Sequence, residues 1–262
     1  GTDYAFDFVR IRVPLMLHLF QVHKIIGFLP NVLQIVVESS IELPVRQAAA
    51  IYFKNEVVSY WVEKEAKKGL LAYSIHEQDR EMIRNSIVDA MVCSPDAIRF
   101  SLSVALNCII KNDFPDKWTG VVDKVVIYLQ VAEPHTRLGA LMAMHQLAKN
   151  YEYKNNSEKG SLLDAMKLLG PILFKLMTSL LPDPSEQSVA TQKAILKIIF
   201  ILTQYSLPLN FFTHEVFTQW MEIIRQVLDR DVPKEVEKVD IDERHELCWY
   251  KAKKWALHIV VR

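Results

Sequence analysis

The sequence predicts an all-α protein built from antiparallel helix pairs that stack one on the next, with no β-sheet. Apolar residues recur three and four positions apart, as on one face of an α-helix, and the alternation typical of strands is nearly absent. Only seven glycines occur in 262 residues, few for a fold rich in tight turns or phosphate loops. A long helix, a short break and a second long helix return along the chain, with pairs beginning near residues 44, 95, 134, 185 and 242.

The length of this unit indicates how the pairs are arranged. Their spacing is irregular but close to the roughly 40–47 residues of HEAT and armadillo repeats. One pair cannot bury its own apolar face, so neighbouring pairs must stack, which predicts an α-solenoid of HEAT-like repeats wound as a right-handed superhelix. We expect an atypical first repeat at residues 1–43 and HEAT-like repeats at residues 44–262. The alternative is an irregular helical bundle, which would need tighter hairpins closing on one core, whereas these helices are apolar on more than one side.

The first helices are defined by their start signals and apolar stripes. Leu43 and Pro44 open a helix to about Trp61, because proline suits a first turn. A second helix starts near Glu77, and the run Ser94-Pro95-Asp96 starts a third, with Ser94 as the expected N-cap. The stripe of the first helix is Val45, Ala49, Phe53, Val57 and Tyr60; that of the second is Ile83, Ile87, Ala90 and Met91; that of the third is Ile98, Leu102, Ala105, Leu106 and Ile109.

The later helices follow from similar breaks. "DFPDKW" ends the third helix and starts a fourth over residues 117–130, with Trp118, Val121, Val122, Val125 and Leu129 as its stripe. Glu133 and Pro134 start a fifth helix that runs to about Tyr153. Helices then follow at residues 161–181, at 185–206 with Pro208 behind it, and at 213–229. After the polar connection "RDVPKEVEKVDIDERHE" comes the last helix, "LCWYKAKKWALHIVVR".

Composition and charge exclude several classes of function. Lysine plus arginine equals aspartate plus glutamate at 31 each, so the basic excess expected of a nucleic-acid-binding domain is missing. Three widely spaced cysteines form no disulfide or metal framework and suit a reducing compartment. His245 and Cys248 are three residues apart but have no second pair nearby, so structural zinc is not expected. No phosphate loop, zinc-protease or nucleophile-elbow motif is present, so we expect neither an enzyme nor a cofactor.

The N-terminal stretch does not read as a membrane span. "FDFVRIRVPLMLHLFQVHKIIGFLP" is apolar but is broken by Arg10, Arg12 and Pro14. It therefore lacks the roughly 20 uncharged residues that a span requires. The order of basic run, apolar run and small-residue cleavage site of a signal peptide is not clean either. We expect a soluble intracellular protein with no direct membrane insertion.

Several stretches together carry a family resemblance. "LPVRQAAAIYFKNEVVSYW" closely resembles the second-repeat helix of the importin-β superfamily. The match continues through "DREMIRNSIVDAMVCSP", "IIKNDFPDKWTGVVDKVVIYL", "LAKNYEYK", "LPLNFFTHEVFTQWMEII" and "WYKAKKWALHIVVR". That run, over about residues 21–262, looks like the importin-seven/importin-eight branch of nuclear import receptors. The first ~20 residues depart from the family's opening helix, and family members are much longer, so we expect an N-terminal part that stops inside its last helix.

The resemblance implies a mode of action. In this superfamily the first helices of the pairs line the convex side and the second helices line the concave side. Ran-GTP binds the concave side and competes with protein cargo, and Phe-Gly repeats of nucleoporins bind between neighbouring outer helices. This implies shuttling between cytoplasm and nucleus, with surface recognition and no covalent chemistry. A generic HEAT-repeat scaffold for protein–protein assembly is the alternative, since it explains the solenoid but not the ordered motifs.

Helical phase suggests which residues face such a partner. On helix 79–92 the stripe leaves Glu81, Asn85 and Asp89 pointing away from the core, and on helix 117–130 it leaves Asp123, Lys124 and Ile127. Lys54 and Asn55 mark the family motif, and Asn55 lies opposite the stripe of its helix. These eight residues are the Ran-binding candidates; a merely solvated face is the alternative. Reversing the charge of Asp89 and Lys124 together is expected to weaken Ran-GTP binding.

The remaining conspicuous residues have structural interpretations. His145 is in phase with apolar neighbours and is expected to be a packed, hydrogen-bonded histidine. The tryptophans at 118, 220, 249 and 255 are expected to fill gaps between helices. Lys251, Lys253 and Lys254 are expected to neutralise Asp240, Asp242, Glu243 and Glu246. The stripe of the last helix, Trp249, Ala252, Ala256, Ile259 and Val260, is expected to pack on helices 185–206 and 213–229 and to leave an apolar patch that promotes self-association.

Overall fold

The computed structural model describes residues 24–63, 73–155, 158–205, 207 and 212–261. All regular secondary structure in these ranges is helical, which confirms the prediction of an all-α fold. The expected departure of the first ~20 residues from the family pattern, and the break at Pro208, lie outside the described residues. The described α-helices are α1 (Phe28–Val37), α2 (Leu43–Tyr60), α3 (Glu77–Cys93), α4 (Asp96–Asp113), α5 (Gly120–Gln130), α6 (Pro134–Asn150), α7 (Gly160–Leu180), α8 (Glu186–Thr203), α9 (His214–Asp229), α10 (Lys234–Glu237) and α11 (Cys248–Val260).

Most helix starts follow local sequence signals. Pro44 and Pro134 lie in the first turns of α2 and α6, where a missing N–H costs nothing. The Glu133 side chain caps α6 by accepting hydrogen bonds from the backbone N–H groups of His135 and Thr136. A hydrogen bond from the Thr136 side chain, followed by these backbone bonds, lowers the pKa of the Glu133 carboxyl. Ser185 caps α8 in the same way, by accepting from Ser188 N at 3.3 Å.

The boundary between α3 and α4 differs from the expected one. Ser94 N donates to Ala90 O at 3.1 Å, so Ser94 ends α3. The carbonyl of Pro95 accepts from Ile98 N at 2.9 Å and therefore starts α4. The prediction that Ser94 caps the third helix was wrong by one residue, because α3 runs through Cys93 and uses Ser94 for its own last turn.

The helices form two compact units, of which the first comprises residues 1–90 and 94–112. Within it α1 packs on α2, and Arg46 Nε donates to Val36 O at 2.9 Å. Gly27 N donates to the buried Asp79 Oδ1 at 2.8 Å and so links the start of α1 to α3. The stripe of α3 is fully buried as predicted, whereas Val45 in the predicted stripe of α2 is 51% exposed.

The second unit comprises residues 91–93 and 113–262 and shows how the pairs stack. Helix α6 packs on α8, and α8 packs on α11; we call these three the α6–α8–α11 layer. Helix α5 packs on α7, and Phe174 of α7 meets Trp220 of α9 edge to face at 5.6 Å; these form the α5–α7–α9 layer. The layers are connected by contacts between α5 and α6, between α7 and α8, and between α9 and α11, with only the short α10 between the last two in sequence. Contact between every second helix is the signature of stacked pairs.

Two of the four tryptophans expected to fill gaps between helices pack on a neighbouring helix, as predicted: Trp220 on Phe174 and Trp255 on Phe200. Trp118 and Trp220 are buried. The half-buried Trp249 donates its indole N–H to Pro184 O at 3.1 Å, and the half-buried Trp255 lies 5.3 Å from the Phe200 ring. None of the described helices is both long and apolar enough to span a bilayer.

The last helix packs where the sequence predicted. Helix α11 contacts α8 and α9, and Ala252, Ala256 and Ile259 are buried. The connection before it is more ordered than expected, because it contains α10 and a 3-10 turn at Arg244–Glu246, with Arg244 Nε donating to Val239 O at 2.9 Å.

Leu257, Val260 and Val261 are exposed on one side of α11, at the spacing of adjacent turns. We expect this apolar patch to promote self-association at high protein concentration. Replacing Leu257 and Val260 with lysine should shift light-scattering masses towards the monomer, whereas Ile241→Lys, at a still more exposed isoleucine outside α11, should not. A wild-type chain that stays monomeric at high concentration would contradict this prediction.

Candidate interaction surfaces

The candidate residues on α2 flank a face that points away from the core. Ala50, Phe53 and Val57 are buried, and Asn55 is exposed on the opposite side, as its helical phase predicted. Lys54 lies between these two faces and is half-buried. The exposed face also carries large apolar side chains, namely Ile51, Val58 and Val62. The sequence analysis did not identify this apolar character.

Helix α3 presents a polar strip. Its buried stripe leaves Glu81 and Asn85 exposed four residues apart, with Asp89 half-buried one turn further on. Asn85 and Asp89 make polar contacts within the chain. Glu81 is therefore the member of this strip most available to a partner.

Helix α5 carries the other three candidates. Asp123 and Ile127 are exposed, and Ile127 is 61% accessible although it is a large aliphatic residue. Lys124 is half-buried and takes part in contacts within the chain. The expected orientation away from the core is confirmed for Asp123 and Ile127 and only partly for Lys124.

The structure distributes the eight candidates over three helices. Glu81, Asn85 and Asp89 share one face of α3, while Lys54 and Asn55 lie on α2; both helices have their candidates in the first unit. Asp123, Lys124 and Ile127 share one face of α5 in the second unit. Exposed charges and amides on rigid helices can recognise a protein surface, but nothing in this arrangement activates a nucleophile or shuttles a proton.

The α5–α7–α9 layer also contains a groove that the sequence did not reveal. Its cavity measures about 1200 Å³ including open solvent and lies between α7 and α9. The lining combines apolar Phe174, Leu181 and Ile223 with polar Thr178, Glu222 and Gln226. Hydrogen bonds from Arg225 and then Gln226 lower the pKa of Glu222 to about 2, so this carboxylate is ionised at neutral pH.

The suspected metal pair and the lysine cluster have other partners. His245 Nε2 lies 3.0 Å from Glu246, and Cys248 Sγ lies 3.7 Å from Glu186 O. Across the described ranges, no group of three or more His, Cys, Asp or Glu residues could hold a metal ion.

Lys251 pairs with Glu246 at 2.6 Å as predicted. Lys253 instead donates to Leu228 O at 2.7 Å, because α11 lies against the end of α9.

His145 is only partly satisfied. Its Nδ1 lies 3.3 Å from Gln146 Nε2, which confirms a hydrogen bond. Its Nε2 is buried and has no partner among the described residues. Burial, followed by the charges of Lys197 and Lys149, lowers the pKa of this imidazole to about 4. The ring is therefore neutral at physiological pH.

Comparison with known proteins gives these surfaces a context. The importin-beta N-terminal domain model matches residues 16–92. Importin-8 of Mus musculus is 47% identical over 255 residues, covering 97% of this chain and 25% of the relative. Importin-8 of Danio rerio is 46% identical over 267 residues, with 97% and 26% covered. Exportin-2 of Drosophila melanogaster is 31% identical over 214 residues, with 77% and 21% covered. The chain thus spans about a quarter of the length of these relatives.

A solved structure, the exportin Cse1 in its cargo-free, cytoplasmic state, has the same fold. It superimposes with a TM-score of 0.78 at 19% identity, over 93% of this chain and 26% of that one. The predicted α-solenoid of helix pairs is thereby confirmed.

Proposed function

Because this chain belongs to the importin-β superfamily, in its importin-seven/importin-eight branch, we propose that it forms the N-terminal part of a receptor that carries proteins into the nucleus. The observation that carries this proposal is the likeness, along almost the whole chain, to relatives named Importin-8. Such a receptor would work in both cytoplasm and nucleus. It would act through surface recognition, without a covalent step or a cofactor.

Ran-GTP is the proposed partner of the second helices of the pairs. Helices α3 and α5 occupy that position and present Glu81, Asn85 and Asp123 to solvent, with Asp89 and Lys124 half-buried beside them. Polar groups held in place on helices favour one orientation of a charged partner, and therefore specific rather than non-specific binding. Ile127 on α5 completes the proposed contact set on the second helices. Lys54 and Asn55 remain candidates from the family motif, although they lie on α2, which is a first helix. Ran-GTP and cargo would then compete, because binding of either ligand lowers the affinity of the receptor for the other; this is an unfavourable coupling free energy between the two ligands.

Phe-Gly repeats of nucleoporins are the proposed partners of the first helices. In the first unit, α2 exposes Ile51 and Val58, Val62 is exposed just after its end, and α4 exposes Phe100 to 71%. Large apolar side chains grouped on exposed helix faces are typical of protein interaction sites. The zero net charge of the chain offers no support for a nucleic-acid partner.

Binding to the two nucleotide states of Ran tests this proposal. We expect the chain to bind Ran-GTP more tightly than Ran-GDP in a fluorescence titration. Glu81→Lys combined with Asp123→Lys should weaken Ran-GTP binding by about tenfold, because both carboxylates are exposed and reversal turns attraction into repulsion. These residues suit the test better than Asp89 and Lys124, whose contacts within the chain would also be lost.

The control variant combines Glu235→Lys with Asp242→Lys, which makes the same charge change at exposed positions between α9 and α11. It should bind Ran-GTP like the wild type. Equal affinity of the wild type for both nucleotide states would count against a transport receptor and favour a generic scaffold.

A further inference from the structure

The two layers of the second unit differ in charge. Helices α6, α8 and α11 contain seven lysines and arginines but a single carboxylate, Glu186, at the very start of α8. Helices α5, α7 and α9 contain four cationic and five acidic residues. Since the whole chain is neutral, this is a local segregation of positive charge onto one layer. Local fields of this kind act on partners independently of the net charge.

The lysine of α6 and the two lysines of α8 lack a carboxylate partner among the described residues. Lys251 is paired with Glu246, and Lys253 donates to a backbone carbonyl. Lys149, Lys193 and Lys197 form no ion pair with any carboxylate in the described part of the chain. Helix α6, which carries Lys149, packs on α8, which carries Lys193 and Lys197. Burial first, and then the charges of Lys149 and Lys193, lower the pKa of Lys197, so both of these lysines act electrostatically on it. A half-buried cation beside two further cations is unfavourable until an anion arrives.

An aromatic cluster adjoins the lysines. Lys193, Lys197 and Phe200 occur at the spacing of one face of α8. Lys197 Nζ lies 5.7 Å from the centre of the Trp255 ring, and Phe200 lies 5.3 Å from that ring. His258 packs against both aromatic rings, at 5.7 Å from Phe200 and 5.5 Å from Trp255. All three aromatic side chains are half-buried, so they retain surface that a ligand can cover.

We propose that the α6–α8–α11 layer binds an acidic peptide segment of a partner protein. Carboxylates of the peptide pair with Lys149, Lys193 and Lys197, and an adjacent apolar or aromatic side chain packs on Trp255 and Phe200. Charge complementarity selects an acidic partner, and the aromatic cluster selects a peptide that carries an apolar residue beside its acids. A nucleic acid is the less suitable occupant, because three lysines on a neutral chain give no extended phosphate-binding track. This surface is separate from the residues proposed above for Ran-GTP and Phe-Gly repeats.

Fluorescence anisotropy with defined probes tests the proposal on the full 262-residue chain. The probe is a short fluorescein-labelled peptide of glutamates around one phenylalanine; the comparison probes are its glutamine analogue and an oligouridylate of equal charge. We expect the glutamate peptide to bind best and to lose affinity with added salt. Replacing Lys149, Lys193 and Lys197 with glutamine should weaken its binding about tenfold, since each exposed pair contributes a factor of roughly two to five.

Two further variants keep the result interpretable. The triple lysine-to-arginine variant at the same positions retains the charge and should bind within about twofold of the wild type. The matched control replaces Lys175, Lys234 and Lys238, exposed lysines elsewhere in the chain, with glutamine and should leave binding unchanged. Equal weakening by this control would show attraction by net charge alone and would overturn the proposal. So would equal binding of the glutamine peptide, or tighter binding of the oligouridylate.

Discussion

Replacing Gln192 with leucine should lower the free energy of unfolding of the second unit by about 2 kcal/mol, although leucine is apolar and of similar size. Gln192 is fully buried, and its amide nitrogen donates to Leu180 O at 2.8 Å and to Ser188 Oγ at 3.1 Å. Its amide oxygen accepts from Arg230 Nη1 at 3.1 Å. The substitution removes the amide donor that serves both Leu180 O and Ser188 Oγ, although Leu180 O still accepts from Asp183 N and Ser188 Oγ. It also leaves the half-buried Arg230 guanidinium short of an acceptor, since Leu181 O at 3.3 Å is its one remaining hydrogen-bond acceptor among the described residues.

A double-mutant cycle with Arg230→Met separates this network from ordinary packing. Each single variant leaves either Gln192 or Arg230 without its hydrogen-bond partner, whereas the double variant removes both polar side chains. We therefore expect the double variant to lose less stability than the two single variants together, with a coupling of about 1–2 kcal/mol.

Urea unfolding followed by circular dichroism measures these values. Gln226→Leu is the control, because Gln226 is exposed and donates only to Glu222 within its own helix, at 2.9 Å. It should change stability by no more than about 0.5 kcal/mol. Additive effects of Gln192→Leu and Arg230→Met would show that the two side chains stabilise the fold separately.

Acidification should destabilise the chain through His145. Its pKa is lowered to about 4 in the folded protein, chiefly by burial, against about 6.5 in an unfolded chain. Between these values the unfolded state binds a proton that the folded state does not, so stability falls as the pH falls through this window. The effect amounts to at most about 3 kcal/mol, and it fades as the pH rises above about 6.5, because the ring then becomes neutral in the unfolded chain as well as in the folded protein.

The variant His145→Gln should flatten this pH dependence. Glutamine does not titrate, so the stability of the variant should change less than that of the wild type between about pH 6.5 and pH 4.5. The matched control, His214→Gln, alters an exposed histidine at the start of α9 and should retain the wild-type slope. Urea unfolding at several pH values gives both slopes. A wild-type slope in His145→Gln would assign the acid sensitivity to other groups.

Local periodicity determined the helices and many of their buried faces. The stripe of α3 and the valines of α5 are buried as predicted, because an amphipathic pattern specifies which side of one helix avoids water. The same phase placed Glu81, Asn85, Asp123 and Ile127 at the surface. The ordered motifs indicated the family, since they depend on residue identity and order alone.

Only the tertiary structure decided how far neighbouring elements bury the residues that helical phase alone does not place correctly. Val45 follows the stripe of α2 yet is exposed, and Asp89 and Lys124 are half-buried by neighbouring groups. The tertiary structure also decided the hydrogen bond between Gln192 and Arg230, since these two residues lie 38 positions apart in sequence. Periodicity describes a single helix, whereas burial depends on which other helices lie against it.

The lysine surface of the second unit shows this limit most clearly. Lys149, Lys193 and Trp255 belong to three helices that are separated in sequence by other elements. They come together because α6 packs on α8 and α8 packs on α11. The sequence determined the helices and the charges they carry. The packing of every second helix decided which charges share a surface, because contacts distant along the chain are fixed by the apolar faces that helices bury against each other.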